Sequence, residues 1–259
     1  MSFDDPDVIA CAKSLERADP DRFTAVMAAP VAARHALFPI FAANVEIARA
    51  PWVTKEEMIA EMRLQWWRDI AEQISKGETV RRHEVATPLA AAISAEGGAL
   101  LDQLIVARRW DIYKDPFEDQ AAFDAYLMNT SGVLLQLACD ALGEADPEVV
   151  SDLGYAHGLA NFLRAIPALE EAKRVPLLDG RPEAVSALAA AGLERLYKAR
   201  AGRTAISPDA RPAVLCTWQT EAILKQARAE PHRVSEGALA MSGFRRSTRL
   251  MWQVQTGRW

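Results

Sequence analysis

The apolar residues of this chain recur at helical period along nearly every long segment. From Phe123 to Ala141 they advance in steps of three and four, and a second stripe of the same kind runs from Val149 to Leu163. Such steps bring the side chains onto one face of an α-helix. A half-buried strand would instead alternate apolar and polar residues, and no segment does so for more than a few positions. The pattern therefore predicts an all-α protein.

Residues between the stripes mark where the helices begin and end. Thr54, with Glu57 three residues later, predicts a capping box at the start of one helix. Gly77 is expected to close that helix, and Pro167 to end a later one, because proline cannot donate a backbone hydrogen bond. Helices are predicted over residues 5–18, 31–50, 54–77, 98–112, 123–143, 149–166, 184–200, 211–229 and 236–254. No connection has the composition of a flexible linker, so one domain over residues 1–259 is expected.

Bulk properties argue against several function classes. The net charge of −5 provides no concentrated basic face for nucleic acid. The three cysteines, Cys11, Cys139 and Cys216, form no C-x-x-C pair and are expected to be buried thiols, and no metal site is predicted. The acidic start MSFDDPD is unlike a signal peptide, and no apolar stretch reaches the roughly 18–20 residues of a membrane span. A cytoplasmic protein is therefore expected.

The C-terminal segment, residues 237–259, contains no acidic residue. It has four arginines, Arg245, Arg246, Arg249 and Arg258, together with apolar residues that could share one face of a last helix. One interpretation is a packed terminal helix whose basic face is solvated. The other is contact with anionic lipid headgroups or an acidic partner, which would hold the protein peripherally at the inner face of a membrane.

Residues 153–178, LGYAHGLANFLRAIPALEEAKRVPLL, resemble the second aspartate-rich helix of the squalene/phytoene synthase superfamily. The positions that fit this motif are Gly154, Ala156, Asn161, Leu163 and Arg164. The family's three acids fall on Ala165, Ala168 and Leu169. The resemblance implies the helical fold of the trans-isoprenyl diphosphate synthases, with a central cavity. It also implies that this chain lacks the carboxylates that would hold magnesium in the second cluster.

Residues 37–50, LFPIFAANVEIARA, resemble the helix that carries the family's first acidic cluster. Only Glu46 is acidic there, beside Asn44 and Arg49. Glu46 and Arg49 are spaced to pair with each other, which would leave no free carboxylate. With these departures, the resemblance implies a protein that has no catalytic residues and binds neither a metal nor another cofactor.

Four stretches narrow the resemblance to one branch of the superfamily. ANVEIA, MRLQWWRDIAEQI, NTSGVLLQLACDALG and GLANFLRAIP begin at residues 43, 62, 129 and 158. Together they resemble the phytoene-synthase-like assembly factor of respiratory complex I. The resemblance implies a catalytically degenerate assembly or binding factor whose partners are complex I subunits or an isoprenoid-like ligand. The alternative is an active prenyltransferase that condenses prenyl diphosphates to a squalene- or phytoene-like product and uses magnesium.

Six residues are candidates for contact with a ligand in such a cavity: Asn44, Glu46, Trp66, His157, Asn161 and Arg164. For His157 and Trp66 the alternative is a packed side chain with a structural role. The cavity is expected to be apolar and bordered by the helices that contain Phe41, Trp66, Leu134 and Asn161.

Arg164 has two interpretations. Its guanidinium could fork onto an anionic group of a ligand. Alternatively, it is a structural arginine beside Gly154 and Gly158, where the helix packs closely. The second interpretation predicts a buried Arg164 bonded to a protein acid, with Glu46 as the candidate, and a large loss of stability on removal of the charge.

Overall fold

The structure is a computed structural model that describes residues 5–259. Residues 1–4 of the expected domain lie outside the described part. Extended backbone pairs once in the described residues, in an isolated antiparallel bridge between Ala145 and Ile206. All other regular structure is helical, which confirms the all-α prediction. No helix in the described range combines the length and the apolar character needed to cross a bilayer.

The α-helices run in chain order from α1 to α15. Their bounds are α1 Pro6–Ala18, α2 Pro20–Ala28, α3 Val31–Arg49, α4 Glu57–Ser75, α5 Ala86–Ala92, α6 Ala95–Ala107, α7 Trp110–Tyr113, α8 Gln120–Leu127, α9 Val133–Asp140, α10 Pro147–Glu171, α11 Pro182–Ala201, α12 Arg211–Val214, α13 Thr220–Ala229, α14 His232–Ser235 and α15 Gly243–Thr256. A π-helical turn, Met128–Gly132, joins α8 to α9, and short 3-10 turns cover Arg203–Ala205 and Leu215–Thr217.

Helices α3 and α10 form the centre of the molecule. Every residue from 37 to 45 in α3 and from 152 to 160 in α10 is buried. A helix that is buried on all sides over several turns belongs to the core, with other helices packed around it. Helix α10 contacts α9, α11 and α13, and α3 contacts α1, α5 and α9. The two central helices supply facing walls for the cavity described below.

Two glycines allow α10 to approach the π-helical turn very closely. A Cβ atom on Gly154 would lie 2.5 Å from the Cα of Gly132, and one on Gly158 would lie 2.7 Å from the Cβ of Ser131. A side chain at position 154 would therefore collide with backbone. Helix α8, the π-helical turn and α9 follow one another directly and are called the α8–α9 rod below. The rod is widest at the π-helical turn, from which Thr130 and Ser131 line the central cavity.

Several predicted helix boundaries are wrong. Pro167 does not end α10, which continues to Glu171, because Ile166 and Leu169 on either side of it are buried and hold the last turns in place. Helices α2 and α5 were not predicted. Helix α4 begins at Glu57 and has no capping box, since the Thr54 hydroxyl accepts a hydrogen bond from the Glu56 amide instead.

Other local expectations are confirmed. Gly77 follows α4 with a left-handed φ of 66°, which suits a glycine at the end of a helix. The three cysteines are buried free thiols.

Candidate binding site in the central cavity

A cavity of about 600 Å³ lies between the start of α2, the later turns of α3, the α8–α9 rod and the second half of α10. Three of the six candidate residues line it: Asn44 from α3, and Asn161 and Arg164 from α10. Leu134 also lines the cavity. Of the four helices that were expected to border the cavity, α3, α9 and α10 therefore do so.

Trp66 and Glu46, two further candidates for contact with a ligand, do not line this cavity. Trp66 packs against Trp67 and His83, with ring centroids 4.9 Å from each. Trp67 is the one of the pair that faces the core. Burial raises the pKa of Glu46, the nearby His83 opposes this shift, and Glu84 adds to it. Both candidate side chains thus belong to the surroundings of His83.

The expected pair between Glu46 and Arg49 is also absent. No ion pair joins these two residues in the part of the chain that the structure describes.

Phe41 is fully buried and does not reach the cavity. The guanidinium of Arg22 lies over its ring, 5.1 Å from the ring centroid. The wall is therefore less apolar than predicted.

The two central helices present no carboxylate to the cavity. Ala165 and Leu169, at two of the positions where the family's second acidic cluster falls, line it from α10, and Asn44 and Ala48 line it from α3. Asn44 is 7% exposed, and its Oδ1 has no hydrogen-bond partner within residues 5–259. This oxygen can accept a hydrogen bond from a bound molecule.

Two of the acids in the cavity wall come from the start of α2. Asp19 Oδ2 lies 2.6 Å from Nη1 of Arg22. Asp21 Oδ2 lies 3.1 Å from Nη1 of Arg164, and the other oxygen of Asp21 pairs with Arg246 from α15. Both carboxylates are therefore already bound by arginines.

The prediction of a buried Arg164 that pairs with Glu46 is wrong in two respects. Its side chain is 36% exposed, so it is not largely buried. Its acidic partner is Asp21 and not Glu46. Because the ion pair is partly solvated, loss of Arg164 should cost little stability compared with a buried arginine.

The third acid, Asp111, belongs to a buried cluster at the opposite side of the cavity. Arg108 donates to Asp111 Oδ2 at 3.2 Å and to the Tyr126 hydroxyl at 2.9 Å, and that hydroxyl donates to Asp111 Oδ1 at 3.0 Å. Burial raises the pKa of Tyr126, so its hydroxyl keeps its proton. Arg174 donates to the Asp111 carbonyl and lies 4.9 Å from the Trp52 ring centroid.

The charges around the cavity are those of an anion site more than of a metal site. Asp19, Asp21 and Asp111 are balanced in the wall by Arg22, Arg108 and Arg164. Arg174 and Arg246 behind the wall add two further positive charges. Among the described residues, no three histidine, cysteine, aspartate or glutamate side chains are grouped to hold a metal ion. Magnesium prefers carboxylate oxygens, and those of the wall are paired with arginines, so the residues present do not fit the magnesium that an active prenyltransferase would use.

His157 supports the cavity wall from behind. Its Nδ1 lies 3.1 Å from the Thr220 hydroxyl, and its Nε2 lies 3.1 Å from the amide nitrogen of Asn161. Burial, together with the nearby charges of Arg22 and Arg164, lowers the pKa of His157 to about 3 against the opposing effect of Asp19. The ring is therefore neutral near pH 7, and with the Asn161 amide as donor its proton lies on Nδ1. This bonding fixes the side chain of Asn161 at the cavity.

Sequence reasoning missed the polar residues that dominate the wall: Asp19, Asp21, Arg22, Arg108, Asp111 and Tyr126. The spacing of Arg108 and Asp111 was a usable signal, since residues three apart on a helix can pair. The same spacing does not show whether a pair is buried, because the partly exposed Arg233 and the exposed Glu230 are also three residues apart and paired. The Asp21–Arg164 pair joins residues 143 positions apart, which no local pattern reveals.

A comparison with protein-family models matches residues 15–177 to "Squalene/phytoene synthase". Among curated proteins, the chain is similar to the NADH dehydrogenase (ubiquinone) complex I assembly factor 6 homolog of Drosophila melanogaster, at 27% identity over 64% of this chain and 53% of the relative. It is also similar to the human NADH dehydrogenase (ubiquinone) complex I assembly factor 6, at 26% identity over 61% of this chain and 48% of the relative. The chain thus spans about half the length of these relatives.

Solved structures share the fold along nearly the whole chain. A dehydrosqualene synthase in complex with ligand matches with a TM-score of 0.80 at 14% identity, over 97% of this chain and 96% of the other. A squalene synthase from Alicyclobacillus acidocaldarius matches with a TM-score of 0.68 at 17% identity, over 87% and 94%. At these identities the likeness shows the fold alone.

Proposed function

Because this chain belongs to the squalene/phytoene synthase family, we propose that it is a catalytically degenerate member that binds without turnover and acts in the assembly of respiratory complex I. One observation carries the first half of this proposal. Every carboxylate in the cavity wall is bound by an arginine, and the central helices present asparagine, alanine and leucine where magnesium would need acids. The second half rests on similarity to the assembly factors of fly and human.

The free hydrogen-bonding groups of the wall support a binding role. Oδ1 of Asn44 and the Nε groups of Arg22 and Arg108 are buried and have no partner in the described range. Buried polar groups are nearly always satisfied, and a bound molecule would satisfy these. The occupant we propose is a segment of a complex I subunit or an isoprenoid-like ligand with a polar end. The proposed location is cytoplasmic, at the inner face of the membrane that contains the complex.

The alternative of an active prenyltransferase requires several magnesium ions to be held against a diphosphate. An arginine-paired carboxylate would have to give up its ion pair before it could bind a metal. Asp21 would have to leave both Arg164 and Arg246, and Asp111 would have to leave Arg108 and Tyr126. These costs favour the binding role over the reaction.

Deletion of the gene in its own host tests the proposal. We expect the amount of assembled complex I on native gels to fall several-fold and to return when the wild-type gene is restored. Ala165→Trp, which fills the cavity from an exposed position, should fail to restore it. Ala168→Trp is the matched control, because Ala168 is exposed on the same helix but does not line the cavity. Unchanged complex I, together with loss of a squalene- or phytoene-like hydrocarbon, would support the enzyme instead.

A further inference from the structure

The last helix, α15, has an inner face that is tied to the body of the protein. It packs on α2 and on the 3-10 turn before Trp218. Arg246 pairs with Asp21, and Arg249 donates to Glu221 at 2.8 Å. Leu250 is buried on the same side. The arginines of this face are thus already occupied by protein carboxylates.

The outer face of α15 carries large apolar side chains in solvent. Phe244 is 80% exposed, Met251 59%, Trp252 49% and Val254 44%. Phe244 and Met251 are seven residues apart and therefore lie on one side of the helix, with Trp252 beside them. The exposed part of these side chains, on one helix of 14 residues, is apolar surface that the fold leaves uncovered.

The charge around this face is opposite in sign to that of the rest of the chain. Residues 237–259 contain four arginines and no acid, so their net charge is +4. The whole chain has a net charge of −5, and residues 1–236 therefore have a net charge of −9. Arg245 in α15 and Arg258, two residues past its end, are both exposed. A basic, aromatic surface on an otherwise acidic protein is complementary to an anionic surface.

We propose that α15 lies in the interface of an anionic lipid bilayer, with Phe244, Met251 and Trp252 inserted and Arg245 and Arg258 among the headgroups. Its apolar face, polar opposite face and lack of a membrane-spanning length are the features of an interfacial helix. At about 21 Å long and about 10 Å wide, the helix offers an outer face of roughly 200 Å², well below the roughly 800 Å² that each partner contributes to a stable protein interface. The size of the face therefore favours a bilayer over a protein partner.

Vesicle sedimentation with the full chain tests this assignment. Wild-type protein should sediment with vesicles that contain about 30% phosphatidylserine and much less with pure phosphatidylcholine, and high salt should release it. Phe244→Ser with Met251→Ser should lower the partition constant by about tenfold or more, since both inserted side chains are lost. Arg245→Glu with Arg258→Glu should do the same on anionic vesicles alone. All four positions are exposed, so the variants should keep the fold, which circular dichroism checks.

Met58→Ser with Met62→Ser is the matched control. These methionines of α4 are 76% and 67% exposed, so the change removes the same kind of apolar surface from another helix. The control should bind vesicles as the wild type does. Absence of wild-type binding to anionic vesicles would overturn the proposal and leave the face to an acidic protein partner. Equal losses in the control and in the α15 variants would overturn it as well.

Discussion

Replacement of Asp111 by alanine is expected to lower the free energy of unfolding by about 3–5 kcal/mol. Asp111 is 4% exposed and accepts from both Arg108 and the Tyr126 hydroxyl. Without it, the guanidinium of Arg108, whose side chain is only 20% exposed, would keep one neutral partner and no counter-charge. A buried charge that loses its partner costs far more than the pair itself contributes. Urea unfolding of the two proteins at one pH measures the difference.

The control for this change is Asp102→Ala, which breaks an arginine–aspartate pair at the surface. Arg68 Nε lies 2.7 Å from Asp102 Oδ1, and both side chains are more than a third exposed. Loss of this pair should change the free energy of unfolding by less than about 1 kcal/mol. A loss below about 1 kcal/mol for Asp111→Ala as well would mean that the buried cluster does not stabilise the cavity wall.

Gly154→Ala is expected to destabilise the protein by about 1–3 kcal/mol, although alanine is the better helix former. The new Cβ would lie 2.5 Å from the Cα of Gly132 and 3.2 Å from its amide nitrogen. Both are backbone atoms, so α10 and the π-helical turn would have to separate. Thermal unfolding followed by circular dichroism measures the loss.

Gly243→Ala is the matched control for this substitution. Gly243 is also helical, at the first position of α15, and a Cβ there would meet nothing within 4 Å. Its stability should stay within about 0.5 kcal/mol of the wild type. If Gly154→Ala stabilises the protein as a plain gain in helix propensity would, the close approach of α10 to Gly132 is not rigid.

The sequence predicts the core helices of this fold because their apolar residues leave little choice. Helices α3 and α10 are apolar over several turns, and their burial follows from that. The buried face of α4 is harder to predict, since apolar residues occur on two of its faces. Met58 and Met62 are exposed, whereas Leu64 and Trp67 are buried, and helical period alone cannot choose between the two stripes.

The residues of the cavity were predictable in part. Asn44, Asn161 and Arg164 could be placed because they stand in motifs that resemble a known family. The arginine–aspartate pairs could not, since Asp21 meets Arg164 and Arg246 only after the chain has folded over 143 and 225 positions. Burial of Asp111 likewise depends on helices far apart in sequence. The three-residue spacing of Arg108 and Asp111 suggests that they pair, but it does not show whether the pair is buried.

The most direct test of the binding cavity is calorimetric titration of magnesium and a prenyl diphosphate. A ligand at 100 times its dissociation constant would stabilise the folded state by about 2.7 kcal/mol, so binding would also raise the melting temperature. Because the cavity carboxylates are paired with arginines, magnesium at about 1 mM should produce no heat beyond that of a titration without protein and no shift in melting temperature, with or without the diphosphate. Micromolar binding of the diphosphate that requires magnesium, or release of a squalene- or phytoene-like product, would contradict the account.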